Sequence, residues 1–110
     1  MSARLFPALL ALFVLSLHGA SADEAAARGL AVIDQWCRLC HLRKDDAPDP
    51  VMAPPYEKIV MRPGRDRAYF ETFMREDHFP MTTFRLFDRE KADVVAYLMA
   101  LQAAQVRSRN

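Results

Sequence analysis

From residue 23 onward, apolar side chains recur at helical rather than strand spacing. Over Asp23 to His41, Ala26, Gly29, Leu30, Ile33, Trp36, Cys37 and Cys40 fall three and four apart on one stripe. Asp23 or a neighbour is placed to cap it, and Ala25 to Ala27 are strong helix formers. The same spacing predicts a helix over Arg65 to Asp77, with Tyr69, Phe70 and Phe73 on one side. A last helix is expected after Asp88, which stands as its cap with Lys91 three positions on; Ala92, Val95, Leu98, Met99 and Ala103 make its apolar face. Between these, Lys44-Asp45-Asp46 and the prolines at 48, 50, 54 and 55 make residues 42–55 a surface loop. Tyr56 to Met61 reads as a short helix ended by Arg62-Pro63-Gly64, 77–86 as a loop broken by Pro80, and 106–110 as a frayed tail. No strand-like alternation of any length appears, so the predicted fold class is all-α. The expected core is Leu30, Ile33, Ile59, Phe70, Phe73, Phe84, Leu86, Val95 and Leu98.

The segment before Asp23 has a different pattern. Arg4 precedes a run, Leu5 to Leu17, that is apolar except for Pro7 and Ser16, and Ala20-Ser21-Ala22 is a small-x-small cleavage site. Residues 1–22 are therefore expected to be an export signal, and residues 23–110 the single mature domain. The apolar run falls short of the ~20 residues of a spanning helix, and no cysteine follows the cleavage site to take a lipid. The mature form is expected not to insert in a membrane. Without Arg4 the chain keeps fourteen Lys and Arg against fourteen Asp and Glu. A formally neutral chain has no basic footprint for phosphates, which argues against nucleic acid as a partner. A domain this small also needs something beyond its own side chains to hold it together.

Cys37-Arg38-Leu39-Cys40-His41 is Cys-x-x-Cys-His, the attachment sequence for c-type haem. Positions i, i+3 and i+4 share a helix face, so two thiols can form thioethers with the haem vinyl groups while His41 reaches the iron from one side. Other readings of these residues each lack a requirement. A redox dithiol expects a βαβ context, a zinc site needs about four donors where His78 is the only other histidine after residue 22, and a plain disulfide leaves His41 unexplained. For the sixth iron position, Met81 in Phe79-Pro80-Met81 belongs to no helical stripe, whereas Met74 and Met99 fit as core filler. Met52 and Met61 are less easily set aside, and His78 is the competing ligand. The His41 ring also needs an acceptor for its other nitrogen. The backbone carbonyl of Pro54, in Ala53-Pro54-Pro55, is the candidate.

With these residues in place, the sequence resembles the class I cytochrome c family over essentially the whole chain after residue 22. Gly29, Ile33 and Cys37 are similar to that family's Gly-x-x-x-aromatic-x-x-x-Cys helix, with Ile33 where phenylalanine is common, and Val94 and Tyr97 resemble the partners on its last helix. The resemblance implies three to four helices around one covalently attached haem, the first and last crossing at Gly29 with Tyr97 against the gap. It places Pro54 and Met81 where the family has its histidine-orienting carbonyl and axial methionine. Two departures stand out: Pro-Met continues as Thr82-Thr83-Phe84 rather than with prolines or small residues, and no lysine-rich face is present.

The implied function is not enzymatic. It is periplasmic single-electron transfer with iron cycling between Fe(II) and Fe(III) under His41 and Met81, through transient docking of redox protein donors and acceptors at the haem edge by a free monomer. Alternatives are the haem subunit of a periplasmic dehydrogenase or oxidase and, further off, a ligand-binding haem protein. Trp36 and Tyr56, with Arg62 or Arg65, are either partners of haem propionates or ordinary packing and surface residues.

Overall fold

A computed structural model describes residues 21–110, so the export segment expected over 1–22 lies almost wholly outside the described residues. Among the described residues the chain is helical and has no strand. Helix α1 is α-helical over 21–32 and continues as a π-helix over Ile33–Cys37. Helix α2 is Tyr56–Ile59, α3 is Arg67–Arg75 and α4 is Asp88–Arg109.

Gly29 sets the contact between the first and last of these. A Cβ at Gly29 would overlap the backbone carbonyl of Asp93 and stand 3.0 Å from Tyr97 Cβ, so only glycine lets α1 and α4 approach this closely. Beside it the Arg28 guanidinium donates twice to the buried Asp93 carboxylate, Nε to Oδ2 at 2.9 Å and Nη2 to Oδ1 at 3.1 Å. Such a fork satisfies both carboxylate oxygens and fixes the register of the two helices.

Asp66 caps α3 by accepting from the Tyr69 N–H at 2.8 Å. The cap of α4 differs from expectation. Phe87 occupies the N-cap position and Asp88 is already helical, while Glu90 Oε2 accepts the Phe87 N–H at 2.8 Å. A carboxylate at the third helical position reaches back to the N-cap amide as well as a cap side chain reaches forward. The tail expected to fray from residue 106 is helical to Arg109, whose charge and that of Arg107 suit the negative end of the helix dipole.

The core comprises Ile33, Tyr56, Val60, Phe70, Met74, Val94, Val95 and Leu98, with Ile59 and Leu86 packed against it. Leu30 and Phe73 are half-buried. Phe84, expected in the core, is 81% exposed, because Thr83 turns inward at 4% and the next side chain consequently turns out. Both α2 and α3 pack on α4. Gln102 of α4 donates its amide to Val60 O at 2.7 Å and Arg65 O at 2.6 Å, which ties down the 60–65 turn. That turn contains Gly64, with φ +76°, a left-handed conformation that favours glycine. Among the described residues no helix is long and apolar enough to cross a membrane.

Candidate functional site

The end of α1 carries both cysteines. The Arg38 N–H bonds Ile33 O at 3.2 Å, a five-residue step that widens the last turn, so Cys37 is rotated relative to the line through Gly29 and Ile33. The helix thus ends at Cys37 rather than running to His41. The Cys37 carbonyl then accepts from Cys40 N at 3.2 Å and His41 N at 3.1 Å, which gathers Cys37, Cys40 and His41 into one tight turn. Both thiols are free, Cys37 half-buried and Cys40 exposed.

A short backbone clasp closes the loop that follows. Ala53 N–H donates to Cys40 O at 2.7 Å and Leu42 N–H to Ala53 O at 3.0 Å, so residues 43–52 form a closed surface loop and the next residue, Pro54, meets His41. His41 Nδ1 stands 2.9 Å from Pro54 O. A carbonyl oxygen can only accept, so the proton sits on Nδ1 and Nε2 keeps its lone pair. Burial lowers the His41 pKa and the nearby Arg38 charge acts the same way, against the opposing pull of the Pro54 bond. The imidazole is therefore held neutral, in the tautomer a metal ligand requires.

Two residues of this cluster make contacts that sequence reasoning did not anticipate. Tyr56, at the start of α2, stacks on the His41 ring with centroids 4.5 Å apart. Burial pushes both the Tyr56 hydroxyl and the Cys37 thiol up. Arg38, a nominal spacer in the motif, donates to Leu42 O at 3.0 Å and to Asp34 Oδ1 at 3.4 Å, and its guanidinium lies 5.5 Å from the Tyr56 ring. The available signal for Tyr56 was an aromatic directly after the Pro54-Pro55 pair; none marked Arg38.

Met81 is half-buried in the separate segment 77–87 and pairs with His78 in a backbone bridge. The His78 ring lies flat on Phe73, centroids 3.9 Å apart at 5°. Thr83 Oγ1 faces Met74 O at 3.2 Å and Glu76 O at 3.4 Å. The segment reaches back to α1 through Arg85, whose guanidinium lies 4.9 Å over the Trp36 ring. Cys37, Cys40, His41 and Pro54 are thus brought together directly, and Met81 belongs to a loop joined to the same helix one residue before Cys37.

Of the other methionines, Met74 is in the core and Met61 and Met99 pack against it. Of the residues considered for anionic groups, Arg65 lies 4.0 Å over Tyr69, Arg62 is exposed, and Trp36 and Tyr56 have the partners just described. Among the described residues no group of three or more His, Cys, Asp or Glu side chains is placed to hold a metal ion. What the cluster offers instead is two nucleophilic sulfurs and one neutral imidazole from a single turn. Comparison with protein-family models, with curated proteins and with solved structures found no match.

Proposed function

We propose that the chain is a periplasmic single-electron carrier of the class I c-type cytochrome kind. Cys37 and Cys40 hold one haem through thioethers, His41 and Met81 are its axial ligands, and the mature chain begins near Asp23. The observation that carries this reading is the His41 Nδ1–H bond to Pro54 O, made from the same turn that holds both cysteines. It gives the imidazole the tautomer and orientation of a ligand, an arrangement that a disulfide or a dithiol does not require.

The residues fit the group in three further respects. The thiols are free and separated by one turn. The imidazole is neutral because it is buried. Leu39, Phe79 and Phe84, on the segments that bear the cysteines and Met81, expose apolar surface of the kind a flat apolar group covers. Bound haem supplies reversible one-electron chemistry at iron. The protein's part is to keep both ligands in place in either oxidation state and to exclude water, while the soft Met81 thioether favours the ferrous state.

A second reading, the haem subunit of a dehydrogenase or oxidase, is favoured by Phe87, 78% exposed, since a large exposed aromatic suits a lasting interface. Stable co-purification with an enzyme subunit would select it over the free carrier.

The test is an intact mass and a visible spectrum after expression, signal included, in a host that attaches haem. The expected result is a mass starting near Asp23 plus one haem, with a sharp reduced α-band. A haem-free chain with Cys37 and Cys40 disulfide-linked overturns the proposal. In Met81→Ala, the ferric methionine–iron band near about 700 nm is expected to disappear; an unchanged band removes Met81 as the ligand.

A further inference from the structure

The last carbonyls of a helix have no partner within it and must find one elsewhere. In α3 the Thr72 carbonyl takes the Glu76 N–H at 3.3 Å, but Met74 O receives its donor from Thr83, nine residues on. The single Thr83 hydroxyl proton points into a buried site shared between Met74 O at 3.2 Å and Glu76 O at 3.4 Å. Residues 77–82 are thereby closed into a loop whose two ends rest on the end of α3. Inside it, the His78 ring is stacked on Phe73 of the same helix, and His78 pairs through its backbone with Met81. Met81 is therefore fastened to α3 on both sides, two residues before Thr83 and three after His78.

We propose that Thr83 is a positioning residue for Met81: its buried hydroxyl, bonded to the Met74 and Glu76 carbonyls at the end of α3, holds the closed loop that presents the methionine sulfur. This rests on the reading of Met81 as an axial ligand. It also gives a physical role to one of the positions where the sequence departs from the family's usual continuation. A proline or glycine at 83 offers no side-chain donor, so a loop built that way must be held by other means.

The experiment uses the haem-loaded protein and compares wild type, Thr83→Val and Thr83→Ser. Valine keeps the shape and removes the donor; serine keeps the donor. Each is titrated with imidazole in the ferric state, following the band near about 700 nm, and each is separately unfolded in urea by far-UV circular dichroism. Loss of one buried hydrogen bond corresponds to about three- to tenfold. Thr83→Val is therefore expected to be displaced by imidazole at about three- to tenfold lower concentration, with Thr83→Ser close to wild type.

A merely structural role would lower the urea midpoint of Thr83→Val and leave its imidazole affinity at the wild-type value. Equal imidazole affinity in all three proteins, or an equal shift in serine and valine, overturns the positioning role. Should Thr83→Val fail to accumulate, Thr83→Ser and Thr83→Ala carry the same comparison. A wild type that carries haem yet lacks the band overturns the proposal through the identity of the ligand, and a wild type without haem through the function itself. The mass separates these two failures from a failure at Thr83.

Discussion

Tyr56 joins two parts of the cluster, with its ring stacked on His41 and the Arg38 guanidinium 5.5 Å from that ring. Tyr56→Ala removes a buried aromatic and is expected to cost about 3–5 kcal/mol in urea unfolding, whereas Tyr56→Phe keeps the stack and costs about 1 kcal/mol. The same residue sets a pH dependence. Burial raises the pKa of both Tyr56 and Tyr97 above the ordinary tyrosine value. The unfolded chain releases these protons first, so the stability they contribute is fully present below pH ~10 and is lost as pH rises beyond it. Urea midpoints between pH 8 and 11 are expected to fall at the alkaline end, and less steeply in Tyr56→Phe; a slope unchanged by that substitution would show Tyr56 ionising freely when folded. Residues at this scale were legible only where one local motif implied them. Cys37, Cys40 and His41 are adjacent in sequence, and Pro54 follows from the need of a ligand imidazole for an acceptor. Tyr56 was singled out only as a propionate partner or a packing residue, and its contacts, like those of Thr83, were not legible, since they depend on loop closures at Ala53 and Met74 that no spacing encodes.

At the scale of elements, the α1–α4 contact is the most sharply specified. Gly29→Ala puts a methyl group onto the Asp93 carbonyl, which is backbone and cannot swing aside. The helices must separate, at a cost of about 1–3 kcal/mol by urea unfolding, despite the better helix propensity of alanine. An unchanged or raised midpoint would mean that the helices do not meet at Gly29. The 60–65 turn has a comparable dependence on Gln102. Gln102→Ala strands the carbonyls of Val60 and Arg65, the former in a fully buried residue, and should cost about 1–3 kcal/mol in the same measurement. Gln102→Glu should be worse, because a carboxylate faces both carbonyls without a donor. Every described helix was expected, but α3 starts at Arg67 behind its Asp66 cap rather than at Arg65, and stops at Arg75 rather than Asp77. The start of α4 was misplaced by one residue because Asp88 and Glu90 both offer a carboxylate, and only geometry decides which reaches the Phe87 amide. Phe84 misled for a related reason: in a loop there is no periodicity to say which of two neighbours faces in, and the hydroxyl with a carbonyl to satisfy turned inward ahead of the phenyl ring.

For the whole molecule, the eight buried apolar side chains of the core come from α1, α2 and the turn after it, α3 and α4, and include nothing from 77–87, of which only Leu86 packs against them. That segment instead exposes Phe79 and Phe84 and is held by Thr83, the His78 stack and the Arg85–Trp36 contact. Stability should therefore be uneven. The α1–α4 crossing is locked by packing and by the Arg28–Asp93 fork, while the loop opens by breaking a few local contacts with little apolar burial to oppose it. A covalent group joining the cysteine turn to the methionine loop would supply the missing long-range link. If the proposed function is correct, blocking attachment has a regional signature. In Cys37→Ser/Cys40→Ser, amide hydrogen exchange followed by mass spectrometry is expected to show residues 76–87 and 41–53 exchanging much faster than in the haem-loaded protein. Protection in α1 around Gly29 and in the facing part of α4 should fall far less, because the crossing there is made by the polypeptide alone. Uniform loss over the whole chain would mean that the crossing itself depends on the attached group. Equal protection in the two proteins would mean that the loops are held by their own contacts, and that the exposed phenylalanines serve a partner protein rather than a haem.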